Sequence, residues 1–333
     1  MNSHGIFIVS LDFELNWGVH DCLPFQKYKE NIYGARKVIP KILELFNEFG
    51  IHGTWATVGM LFYDNKKTLL ENLPSALPRY KNTSFSAYNL LSSIGENETS
   101  DPYHYGLTLL KQIKTFPNQE IATHTFSHYY CLEEGQTIHE FTSDLEAAFL
   151  IANNIKLSLK SIVFPRNQTN PDYYAACKEK GLVCFRGNEE SWVYKASRFK
   201  DEGIIKKILR TADCFINIFG HHTYSLTSVQ TEPIVNLPSS RFLRPYNVKL
   251  QIAEPLRLKR IKDSMTYAAQ KGEVFHLWWH PHNFGKNIDE NISFLIEVLK
   301  HANDLREKYD FKSMSMHEAS TLALQYAKKS IAK

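Results

Sequence analysis

The chain has 333 residues, 43% of them hydrophobic and 22% charged, which is the composition of an ordinary globular protein and excludes a disordered or collagen-like chain. Its formal charge of +4 lies in small clusters such as Lys66-Lys67 and Lys206-Lys207, with no basic arm of the kind that grips nucleic acid. The five cysteines (Cys22, Cys131, Cys177, Cys184 and Cys214) form an odd set without C-x-x-C spacing; this argues against a disulfide framework or a cysteine-held zinc and reads as reduced thiols.

Residues 5–11 (GIFIVSL) are apolar and β-branched and run straight into Asp12 and Glu14, which predicts a buried strand ending in polar chemistry. The two carboxylates interrupt the run before it could act as a signal or a membrane span, so the expected setting is cytoplasmic. Apolar positions from Ile32 to Phe49 follow helical spacing over 30–49, Gly50 supplies a stop, and 53–59 reads as a second strand. Further strands are expected at 120–123, 161–164, 182–186, 273–280 and 311–316, and helices at 103–116, 138–155, 171–180, 255–271 and 288–309. This alternation predicts an α/β fold with a parallel sheet, and about seven repeats favour a barrel whose C-terminal strand ends carry the site. The stretches 66–101 and 223–245 lack periodicity and are expected to be rim insertions, recognition loops or lids, of one domain spanning 1–333.

Asp12 and Glu14 are two residues apart at a strand end, so strand alternation points both side chains to one face; a pair of exposed acids in a turn is the plainer alternative. His124 and His128, in IATHTFSHY, are spaced i, i+4, and one helical turn would turn both imidazoles to one side, ready to share a metal or simply to pack. In VFHLWWHPH, strand alternation puts His276, Trp278 and His280 on one face of a strand that stops at Pro281. His280 therefore stands at a strand terminus, where an imidazole can serve as a general acid. Of its neighbours, one of His276 and His282 is expected to be a barrel-interior residue and the other a loop residue.

These segments resemble the polysaccharide deacetylases of carbohydrate esterase family four, with their NodB-like domain. The resemblance rests on SLDFE (10–14), HTFSH (124–128), FPRNQ (164–168), FRGNEESW (185–192) and His280-Pro281, in that order, and covers nearly the whole chain. It implies a distorted (β/α)7 barrel and a divalent metal, zinc above all, held by Glu14, His124 and His128. It also implies Asp12 as general base and Arg166 as the group that orients that base. Two departures stand out: Phe13 follows Asp12 where the family has a second aspartate, giving a D-x-E variant in which the roles of Asp12 and Glu14 could be exchanged. Arg166 also follows Pro165 instead of preceding it, so a structural salt bridge is an equal reading for that residue.

Arg241 and Arg244, in LPSSRFLRP, are candidates to grip an anionic substrate group, with ordinary surface arginines as the alternative. Trp192 and Trp278 are candidate sugar-facing rings, and core packing is expected for at least one tryptophan among Trp192, Trp278 and Trp279. The activity implied is metal-dependent hydrolysis of an N-acetyl or other N-acyl amide on an amino sugar or glycan intermediate, nucleotide- or lipid-linked, in surface polysaccharide assembly. A deformylase or another linear amide or ureide hydrolase is the rival on the same fold, and a non-catalytic carbohydrate-binding protein is the more distant one.

Overall fold

The computed structural model describes residues 4–331. The first half of the chain runs β1 (Ile6–Phe13), α1 (Phe25–Phe49), β2 (Gly53–Thr57), α2 (Lys66–Glu71), α3 (Leu107–Thr115), β3 (Gln119–Thr123) and α4 (Ile138–Asn154). It continues through β4 (Ser161–Ile162), α5 (Tyr174–Glu179), β5 (Cys184–Gly187), α6 (Ile204–Asp213), β6 (Val235–Pro238) and β7 (Arg241–Phe242). The chain ends with α7 (Glu254–Lys271), β8 (Val274–Trp279), α8 (Ile288–Tyr309), β9 (Lys312–Met314) and α9 (Met316–Ile331).

β1 is buried along its whole length because both of its faces meet a core. Phe7, Val9, Leu11 and Phe13 join the outer cluster under the helices, whereas Ile6 and Ile8 join an inner cluster with Ala56, Ala122, Val163 and Val274. Period-two alternation carries that inner face on through Ser10 to Asp12. The pairings between these named strands are parallel, and the strands follow the path β6-β5-β4-β3-β2-β1-β8-β7, with β9 beside the first residues of β1. Below the site, Met316, Ala319 and Ala323 of α9 fill the inner cluster and make it a packed core.

The segment 223–245 is not a rim insertion. Its strands β6 and β7 are separated only by Ser239 and Ser240, yet β6 pairs with β5 and β7 pairs with β8, at opposite ends of the sheet path. Ser239 N donates to Gly187 O and Ser240 N to His276 O, both at 2.8 Å, so one extended run closes the barrel as its seventh stave. Apart from Ser240, which is also buried, the run alternates in burial, with Val235, Leu237, Ser239, Arg241 and Leu243 inside, but not in sequence hydrophobicity, because two of those inside positions, Ser239 and Arg241, are polar. In the 66–101 stretch the regular structure is α2 and two short 3-10 turns, Thr83–Phe85 and Ala87–Leu90, and Tyr80 and Phe85 pack on Tyr130.

α1 begins at Phe25, ahead of its expected start, directly after Pro24. A Cβ on its Gly34 would lie 2.0 Å from Gly285 O, so the two backbones touch; this close approach seats the turn Pro281–Phe284, which follows His280, against the helix. Among the described residues, no two cysteines are bridged. Among the described residues, no helix is long and apolar enough to cross a membrane.

Candidate metal centre and active-site cavity

Glu14 follows β1 directly and is 3% exposed, with its carboxylate turned between two imidazoles. Its Oε2 lies 3.2 Å from His124 Nε2 and 3.1 Å from His128 Nε2. His124 Nδ1 is 2.8 Å from Val163 O, a pure acceptor, so Nδ1 carries the proton and Nε2 offers its lone pair. Glu14 Oε2 and His124 Nε2 have no hydrogen-bond partner although both are buried. Lone pairs aimed at one another in a dry pocket repel unless a cation stands between them, and one carboxylate oxygen with two imidazole nitrogens is a donor set that suits zinc. The residues therefore fit the divalent ion the sequence implied.

The two histidines do not share a helical turn. They lie on a loop after β3 in which Thr125 and His128 take left-handed backbone angles, with φ of 63° and 59°. Asp144 of α4 holds that loop by accepting from Phe126 N at 2.7 Å and Ser127 N at 3.1 Å. Burial pushes the Asp144 carboxyl up to about 6, against the pull of these donors. Burial likewise takes His128 down to about 4, so its imidazole is neutral at physiological pH. Burial alone would raise Glu14, but His280 and the His pair hold it well below the usual carboxylate range. Gly18 leaves room for the carboxylate: a Cβ there would lie 2.0 Å from Glu14 Cδ.

Beside this centre, Asp12 is clamped by Arg186 of β5. Nη1 donates to Oδ1 and Nη2 to Oδ2, both at 2.7 Å. The same guanidinium donates to Ser10 Oγ at 3.0 Å and Asn167 Oδ1 at 2.8 Å and lies 4.1 Å from the Trp278 ring centroid. Burial tends to raise Asp12, but the Arg186 charge, with His124 and His280, takes it below its ordinary value, so Asp12 is ionised at neutral pH. His280 Nε2 lies 3.6 Å from Asp12 Oδ2 and 3.5 Å from Glu14 Oε1. On its far side, Asn283 Oδ1 accepts from Tyr28 Oη at 2.9 Å, which turns Asn283 Nδ2 toward His280 Nδ1 at 3.3 Å. That contact fixes the ring so that Nε2 is the nitrogen that faces the carboxylates.

Asp12, Glu14, His128 and His280 open into a cavity of about 550 Å³, which Arg241, Arg244 and Trp278 also line. The chain superposes on a candidate polysaccharide deacetylase from Mycobacterium smegmatis with a TM-score of 0.60 at 12% identity, covering 99% of this chain and 92% of that one. A second candidate polysaccharide deacetylase, from Pseudomonas aeruginosa PAO1, gives 0.55 at 10% identity over 97% of this chain and 91% of that one. The fold is that of the polysaccharide deacetylases. The allantoinase PuuE also superposes, with a TM-score of 0.55 at 11% identity over 96% of this chain and 90% of that one, so the NodB-like scaffold alone does not fix the substrate. No protein-family model matches the chain, and no curated protein matches it in sequence.

Within this polysaccharide deacetylase fold several expected positions shift. Arg166 does not orient Asp12: it sits in a left-handed turn after β4, pairs with Asp21 at 2.5 Å and lies 4.4 Å from the Tyr130 ring centroid. Its link to the centre is indirect, through the Tyr130 hydroxyl, which meets His128 Nδ1 at 3.2 Å. Arg186, the arginine that does hold Asp12, was legible as a charge sharing a strand face with buried Cys184. Arg241 is no surface arginine; it is buried on β7 and pairs with Asp213 at 2.6 Å. Arg244 is half-buried and donates from Nε to Cys214 Sγ at 3.0 Å. Trp192 is exposed and does not line the cavity, whereas Trp279 is core. His276 is the interior histidine, 2.8 Å from Ser10 Oγ, but His282 is not an open loop residue: it is buried 3.9 Å from Glu14 Oε1.

Proposed function

We propose that this protein hydrolyses an N-acyl amide, the N-acetyl group in the simplest case, on an amino sugar or glycan intermediate, with Glu14, His124 and His128 holding a divalent ion such as zinc. The observation that carries the reading is the convergence of Glu14 Oε2 with the two Nε2 atoms in a buried pocket, next to a separate carboxylate and a third imidazole. When bound, the ion supplies Lewis acidity toward the amide carbonyl and its attacking water. Asp12, ionised and aimed by Arg186, takes the proton from the water as it attacks. In this step His280 acts as the imidazolium: it delivers its Nε2 proton to the departing nitrogen and is left as the neutral ring, so the amine leaves neutral, and the proton that Asp12 took from the water restores the acid. Trp278 offers an apolar wall to a sugar ring, and Arg244, half-buried at the cavity without a carboxylate partner among the described residues, brings positive charge for a substrate that carries a phosphate.

The test is incubation with N-acetylated and N-formylated amino sugars, free, nucleotide-linked and lipid-linked, with added zinc and after chelation. Free amine and the matching acid should appear together, only with metal, and the mass of the acid distinguishes deacetylation from the deformylase rival. No release from any of these sugars by the metal-loaded protein would overturn the reading.

A further inference from the structure

His124 and His128 present their Nε2 atoms to the same Glu14 oxygen, yet their rings are held from behind by partners of different kinds. His124 Nδ1 meets Val163 O at 2.8 Å, a backbone acceptor just after β4 that no side chain can alter. His128 Nδ1 meets the Tyr130 hydroxyl at 3.2 Å, and among the described residues nothing else is bonded to that nitrogen. A ring that offers its Nε2 lone pair to an ion carries its proton on Nδ1, so Nδ1 donates and the hydroxyl accepts. The orientation and the tautomer of His128 therefore depend on where one phenol stands.

Tyr130 is placed by what surrounds it. It is fully buried, its backbone N donates to Tyr80 Oη at 2.8 Å, and its ring stands edge-on to His128 with centroids 5.1 Å apart. Against the same ring lies Arg166, with its guanidinium carbon 4.4 Å from the centroid. That guanidinium also lies 4.9 Å from the Phe199 ring and 5.5 Å from the Phe85 ring, and its charge is met by Asp21, whose side chain is fully buried. A planar cation packed on aromatic rings and tied to a carboxylate has little freedom to turn, so Arg166 clamps the Tyr130 ring and, through it, the hydroxyl.

We infer that Tyr130 is a positioning residue for the metal centre, fixing His128 through Nδ1, and that Arg166 acts on the same ligand by clamping the Tyr130 ring. The inference rests on the metal site of Glu14, His124 and His128, and not on the identity of the substrate. The test is titration of the metal-free full chain with zinc against a competing chelator. Tyr130→Phe keeps the ring and its packing but removes the acceptor. Its zinc affinity should fall about tenfold to a hundredfold, the range for a metal-binding histidine that loses its outer partner, while the melting temperature of the metal-free protein changes little. Arg166→Lys keeps a charge for Asp21 but not the flat guanidinium, and should weaken zinc binding about threefold. Because Arg166 acts through the hydroxyl, adding Arg166→Lys to Tyr130→Phe should weaken binding no further. Unchanged zinc affinity in Tyr130→Phe overturns the inference, and losses that multiply in the double variant overturn the role of Arg166. Should Tyr130→Phe fail to fold, Arg166→Lys carries the test, and unchanged affinity there overturns the inference. A native chain that binds no zinc, or binds it as tightly after Glu14→Ala, overturns the metal-site reading itself, which is told apart because neither Tyr130 nor Arg166 is changed in that comparison.

Discussion

Arg186 and Asp12 are 174 residues apart in sequence and meet through two parallel hydrogen bonds of 2.7 Å, both side chains buried. A guanidinium fork matches a carboxylate in this way only when both planes are held, and here Ser10, Asn167 and the Trp278 ring hold them. Arg186→Lys removes one arm of the fork and leaves a point charge. Asp12 then rises toward its ordinary value, and because the base must be ionised, the acidic limb of the kcat/KM profile moves to higher pH. Activity against pH, with metal content measured in parallel, checks this; an unmoved acidic limb would mean that Arg186 acts only on stability.

Asp12→Asn keeps the metal and loses activity by about a hundredfold to ten-thousandfold, the range for a missing general base. Glu14→Ala loses the metal instead. Zinc content by mass spectrometry separates the two, and the opposite pattern would exchange the roles of the carboxylates.

Gly18→Ala places a methyl where the Glu14 carboxylate lies, 2.0 Å from its Cδ. The flexible carboxylate yields before the backbone does, so the fold survives and Glu14 swings away from the two histidines. Zinc affinity should fall by about tenfold or more while the melting temperature of the metal-free protein changes little. Unchanged zinc affinity would contradict the placement of Glu14.

His280→Ala lowers kcat far more than it raises KM, because a proton delivered to the leaving nitrogen matters in the transition state and little in the ground state. His276→Ala and His282→Ala serve as controls: the first disturbs the Ser10 contact and the second the packing under Glu14, and neither ring faces the departing amine. Equal kcat losses in all three would show that a different group is the acid.

Burial, reinforced by the nearby Arg186 charge, takes His276 down to about 3 in the folded protein. The unfolded chain binds a proton at this residue below about 6.5 and the folded chain does not, so His276 costs stability progressively as pH falls from about 6.5 toward 3. The native protein should lose about 1.4 kcal/mol per pH unit more than His276→Gln between pH 5.5 and 4.5, measured by urea unfolding. Parallel slopes for the two proteins would show that His276 titrates normally.

What the sequence determined by itself was local and periodic. Alternation of two set the inner face of β1 with Ser10 and Asp12, and the inner face of β8 with His276 and Trp278 leading to His280, because a strand's side chains alternate whatever its neighbours are. Alternation of strands with helices set the parallel barrel for the same reason, since a parallel strand needs a crossover. Tertiary structure alone decided which distant partner each of these faces met. It chose Arg186 over Arg166 for Asp12, because the order of strands around the barrel and the backbone turn at Arg166 determine reach, and neither is written near Asp12. It bent the His124–His128 segment into a loop tied to Asp144, and it drew 235–242 across from β5 to β8, since each of these shapes is fixed by hydrogen-bond partners that lie far away in sequence. Ile204, Ile205 and Ile208 of α6 are a further case: the amphipathic pattern is visible in IIKKILRTAD, but only the packing of the chain shows that these three side chains face solvent.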